Sequence, residues 1–176
     1  MNLLAKKNLS DAVTRVLHVP GNYNGGQLEM TLVIDCSLPR EYVKQTAFDI
    51  AAALRSHSEV FRNVRLNLLY WKSNEQMENQ VVPLSFLQMG SSFEKYEELT
   101  EKKTLDALAG NLKLFHARSK LILALTGENV TVGDREALRR NMNPFLGKKS
   151  LFLCRSNPEM KWVRGAELLM QMETGR

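Results

Sequence analysis

Cysteine is scarce in this chain, with two among 176 residues, and the two lie far apart at Cys36 and Cys154. That spacing is neither a disulfide framework nor a set of zinc ligands, so reduced thiols buried in apolar runs are expected. Long hydrophobic runs are also missing. No stretch approaches the roughly 20 apolar residues of a membrane span, and the first residues carry no apolar block with a small-residue cleavage site, which gives the expectation of a cytoplasmic protein without membrane contact. Aromatic residues make up 7% of the chain and are not interleaved with the basic ones as base-stacking platforms require. Lys plus Arg number 24 against 19 for Asp plus Glu, a net charge of +5. The excess comes in scattered pairs such as Lys6-Lys7, Lys102-Lys103, Arg139-Arg140 and Lys148-Lys149, with acids nearby. Ordinary solvated surface and no specific nucleic acid is the expectation. His18, His57 and His116 are distant from one another, lie on or beside expected helices, and none is a candidate base.

What is present is alternation. LSDAVTRVLHV places Leu9, Ala12, Val13, Val16 and Leu17 at helical spacing, with Ser10 as an N-cap. PGNYNGG breaks that helix. LEMTLVIDC then runs too continuously apolar for a half-exposed strand, so it should be central in its sheet. After Pro39, residues Val43, Ala47, Ile50, Ala51 and Leu54 share one helical face. VRLNLLYW (64–71) reads as the next strand, and VVPLSFLQM (81–89) as an edge or irregular strand, because Pro83 cannot donate to a ladder; the two are expected to form a hairpin. A helix is expected from about Phe93 to Ala117, with Leu105, Leu108, Leu112 and Phe115 on one stripe and the charged EKYEELTEKK either a separate turn or an extension of it. A second buried strand follows at KLILALTG (120–127), then a helix at DREALRRNMNPFLG that ends near Asn143-Pro144, a strand at KKSLFLC and a closing helix over PEMKWVRGAELLMQM.

Strands alternating with helices of these lengths predict a three-layer α/β/α, Rossmann-like unit spanning residues 1–176, with a mostly parallel central sheet and an antiparallel edge. In such sheets the polar residues at the carboxyl ends of the strands meet in one crevice, where ligands bind. Asp35, Ser37, Thr126 and Glu128 occupy those ends. A plainer expectation stands beside this one: Asp35 receives backbone N–H groups at the start of the helix after Pro39, and Ser37 caps that helix.

The order of elements, with LVIDCSLP before a long helix, an edge hairpin, and LILALTGEN further on, resembles the von Willebrand factor A domain over most of residues 28–155. That family holds Mg²⁺ or Mn²⁺ through Asp-x-Ser-x-Ser after its first strand, a loop threonine and a Thr-Asp-Gly turn, the oxygen donors that a hard cation requires. The resemblance assigns metal-donor roles to Asp35 and Ser37, and Thr104 is its counterpart for the loop threonine, with Ser91, Ser92 and Thr100 competing. Pro39 stands in place of the second serine and brings no side-chain oxygen. In LTGEN the aspartate is skipped, leaving Glu128 or Asp134 to substitute from other positions. The expectation is a degenerate site with no cofactor beyond at most weakly held Mg²⁺, in a non-enzymatic protein–protein interaction module or small subunit of a larger assembly. Its partner would be another protein or a second copy of the chain, met through Asp35, Ser37, Thr126 and Glu128 or through exposed helix faces, including Met170 and Met172 beside Leu168 and Leu169.

The alternative class is enzymatic. Asp35, Lys120 and Cys154 follow the order of the groups in isochorismatase-like cysteine hydrolases, where the thiolate sits at a helix N-terminus. Lys120 opens its strand, however, which would put it far from the crevice.

Overall fold

The run Leu28–Asp35 (β1) is fully buried apart from Glu29, and its neighbours explain why. In this computed structural model, which describes residues 3–17, 26–57, 59–146, 151–156 and 161–173, β1 lies in the middle of a sheet with helices on both faces. A strand covered on both sides cannot alternate apolar with polar residues. The chain begins with α1 (Leu3–Leu17) and, after β1, enters α2 (Arg40–His57), β2 (Val64–Trp71) and β3 (Met77–Val82). A two-residue strand, β4 (Lys103–Thr104), leads into α3 (Leu105–Phe115). Then come β5 (Leu121–Thr126), the short β6 (Val130–Thr131) and α4 (Arg135–Met142). The chain finishes with β7 (Leu151–Ser156), β8 (Lys161–Arg164) and α5 (Gly165–Glu173).

The main sheet has the order β3-β2-β1-β5-β7-β8, and β4 pairs with β6 beside it. β2, β1, β5 and β7 are parallel, while β3 and β8 run antiparallel at the two edges. The expected three-layer α/β/α architecture is the one observed. Leu32 and Ile34 of β1 pack on the face covered by Leu9 and Val13 of α1 and by Val43, Ala47, Ile50 and Leu54 of α2. Val33 points the other way, to Leu105, Leu108 and Leu112 of α3, Leu138 of α4 and Leu169 of α5. Strand order reverses between β1 and β5, which opens a crevice at their carboxyl ends.

Several boundaries differ from those expected. α1 begins at Leu3, so Ser10 is an interior residue and not a cap; its carbonyl accepts from Thr14 Oγ1 at 2.9 Å. The strand expected at 81–89 lies at 77–82 instead, and Pro83 turns the chain into a short 3-10 helix, Leu84–Gln88. Residues 93–102 are not helical. Residues 91–95 form turns, Phe93 and Tyr96 bury their rings against the α2-side core, and the Leu99 amide donates to the Cys36 carbonyl at 2.7 Å, tying the stretch that follows to the end of β1. Trp162 is on a strand, because β7 would otherwise be an open edge and Lys161–Arg164 pairs with it; the helix starts at Gly165. Residues 20–25 of the PGNYNGG loop, His18 and Lys148-Lys149 lie outside the described residues. No helix among the described residues is long and apolar enough to cross a membrane.

Candidate functional site

Asp35 ends β1 and is completely buried. A carboxylate in that position must have its charge matched and its lone pairs used. Oδ1 accepts from the Ser37 amide at 2.9 Å, which tightens the turn after β1, and Oδ2 accepts from the Gly127 amide at 2.7 Å, which joins the end of β5 to the end of β1. The charge is matched by Lys103, whose Nζ lies 3.0 Å from Asp35 Oδ1; both side chains are 0% exposed. The ammonium also donates to the Glu101 carbonyl at 3.0 Å.

Lys103 reaches this point because β4 lies over the strand ends. Its amide donates to the Asn129 carbonyl at 3.2 Å, and it pairs with Val130 of β6. The next amide, that of Thr104, donates to Asn74 Oδ1 at 2.9 Å in the β2–β3 turn. Three loops thus converge on one carboxylate. Gly127 belongs to this packing by necessity: a Cβ there would lie 2.9 Å from Ser37 Oγ and 3.1 Å from Asp35 Oδ2. On the far side, Tyr96 donates its hydroxyl to the Leu38 carbonyl at 2.6 Å, and Arg40 is held by Glu98 Oε1 on its amide and the Tyr96 carbonyl on its guanidinium. Glu98, from a distant loop, therefore takes the amide at the start of α2, the place expected for Asp35 or Ser37.

Ser37 and Thr126 do stand beside Asp35, the former through the turn and the latter as the last residue of β5. Glu128 is exposed on the crevice rim. Thr104 is the N-cap of α3, its hydroxyl accepting from the Ala107 amide at 3.4 Å, and Asp134 does the same for α4 through Ala137 at 3.1 Å. Both are engaged as caps.

A divalent cation does not fit this donor set. Pro39 offers no oxygen, Thr104 and Asp134 serve helix ends, and an ammonium lies on the carboxylate that would have to be its anchor. No group of three or more His, Cys, Asp or Glu side chains suited to a metal occurs among the described residues.

The hydrolase arrangement is not assembled either. The Lys120 amide donates to the Glu29 carbonyl at 2.9 Å, so Lys120 sits at the amino end of the sheet, about 20 Å along the strands from Asp35 at about 3.3 Å per residue. Cys154 lies in β7 level with Ala124. Cys36, adjacent to the site, is buried, and desolvation pushes its thiol up to about 12. It stays protonated at neutral pH and is no nucleophile.

Sequence reasoning missed Lys103 altogether. In GluLysLys it reads as one of a solvated pair, and only the β4–β6 register turns it inward. The fold and this centre define a doubly wound α/β domain whose strand-end crevice is closed over an internal ion pair. No protein-family model and no curated protein matches the chain.

Proposed function

We propose that this chain is a non-enzymatic protein–protein interaction module or small subunit of a larger assembly, built on a domain resembling von Willebrand factor A, whose crevice works without a tightly bound metal. The observation that carries this reading is the buried Asp35–Lys103 pair. In the family it resembles, the carboxylate ending the first strand anchors a divalent cation used for adhesion. Here the compensating charge comes from the chain itself. A cation approaching Asp35 would have to displace the Lys103 ammonium, and a buried charge left without its partner costs several kcal/mol. The recognition surface is then the protein rim around the pair, with Ser37 and Glu128 reaching it and Asp35 and Thr126 supporting it from below. The partner is a protein, and a sequence that does not interleave aromatics with its basic residues speaks against specific nucleic-acid binding.

Affinity purification of the tagged chain under native conditions, in EDTA and in millimolar Mg²⁺, tests this. The same partner should be retained in both buffers and lost on Glu128→Lys, which reverses a rim charge without touching the core. Retention only in Mg²⁺ would contradict the reading.

A further inference from the structure

The open edge of the sheet offers a second surface, two strands away from β1. β3 is a terminal strand, and residues 78–81 are exposed. The Lys72 amide donates to the Gln76 carbonyl at 3.0 Å where the hairpin closes. Bonded and non-bonded pairs alternate along an antiparallel ladder, so Glu78, Gln80 and Val82 bond to Tyr70, Leu68 and Leu66. The N–H and C=O groups of Met77, Asn79 and Val81 then point out of the sheet. Within β3 there is no lysine or proline of the kind that blocks an exposed edge.

The side chains of β3 also wall two clefts, one on each face. Glu78 and Gln80 border a cleft of about 310 Å³ whose walls combine the half-buried rings of Tyr70 and Phe86 with the charged Lys72, Glu94, Lys95 and Glu97. Met77 and Asn79 border an open groove of about 860 Å³ that holds Arg65 and Arg118 against the single carboxylate of Glu29. Arg65 is only loosely paired there, with Nε 3.9 Å from Glu29 Oε1 and half of its side chain exposed.

We propose that β3 receives an extended segment of a partner protein by strand addition, with alternate side chains acidic towards the Arg65 and Arg118 groove and aromatic towards the Tyr70 and Phe86 cleft. Main-chain bonds to Met77, Asn79 and Val81 supply the affinity, and the two clefts read the side chains at the period of two that a strand imposes. Excess guanidinium charge selects the acids on one face, and the Tyr70 and Phe86 rings offer the aromatics a stacking contact on the other. The proposal gives the interaction module a second surface. It depends on that reading only for the partner being a protein, and its variant leaves the crevice untouched, so the two fail separately.

The probe is a synthetic acetylated octapeptide alternating glutamate and phenylalanine, titrated into the ¹⁵N-labelled chain. Amide shifts should concentrate at Met77, Asn79 and Val81, and hydrogen exchange there should slow. Methylating every second peptide nitrogen removes the donors to the edge and should weaken binding by about tenfold or more. Val81→Pro should do the same while keeping the native melting temperature, because that N–H points away from β2 and proline is tolerated at sheet edges. Undisturbed β3 amides at millimolar peptide, or equal binding of the methylated peptide, would overturn the proposal. A dimer of the free chain that Val81→Pro dissolves would also overturn it, by giving the edge to a second copy.

Discussion

Buried titratable side chains divide here into those with a matched charge and those kept neutral. Asp35 and Lys103 are matched. His116, at the C-cap of α3, is 4% exposed, and its Nδ1 has no hydrogen-bond partner. Desolvation holds its pKa below the ordinary 6.5, so the folded protein refuses a proton that the unfolded chain accepts. The stability associated with a neutral His116 is therefore complete above about pH 6.5 and is lost as the pH falls below it, with a slope of at most about 1.4 kcal/mol per pH unit. Urea unfolding of the native chain and of His116→Gln between pH 7.5 and 5.5 should show a shallower decline in the variant. Parallel declines would remove His116 from the account. The thiol of Cys36 was legible as buried and inert from its apolar run alone. Lys103 was not legible, because Lys102 and Lys103 are indistinguishable as letters; Lys102 is exposed while Lys103 is wholly buried.

Among the elements, β1 and β5 were readable because burial on both faces writes a nearly continuous apolar run, and β2 from the apolar and aromatic residues around Arg65 and Asn67. α2 was equally clear from its stripe of Val43, Ala47, Ile50 and Leu54. The 93–102 segment was left between turn and helix, and Lys161–Arg164 was misread as helix, because their structure is decided by distant partners: the Cys36 carbonyl in one case, strand β7 in the other. Local spacing carries no trace of either. The turn after β5 is another element set by a remote contact. Gly127 follows Thr126 as a loop glycine would, but what it accommodates is the close approach of Ser37 and Asp35. Gly127→Ala should force that turn away from β1 and cost about 1–3 kcal/mol, as overpacking of a tight site does, whereas alanine at Gly90, which has open space around its Cβ position, should be near neutral. Equal melting temperatures for the two variants would contradict the close packing at Asp35.

At the scale of the whole molecule, the alternation of strands and helices was enough to give three layers and a parallel centre. It also placed Asp35, Ser37, Thr126 and Glu128 near one crevice, since strand ends follow from strand assignments. It did not place the charge that completes the site. That charge comes from a two-residue strand over the crevice, and such a strand leaves no periodicity to read. At Asp35 the chain supplies its own cation, and a double-mutant cycle measures whether it does. Asp35→Asn and Lys103→Met should each cost about 3–5 kcal/mol in urea unfolding by leaving a buried charge alone. The double variant should cost clearly less than the two added together. Millimolar Mg²⁺ should leave the melting temperature of the native chain unchanged, because a ligand stabilises only what it binds. Additive losses in the cycle, or a native chain that Mg²⁺ stabilises, would show that Lys103 does not stand in for a metal.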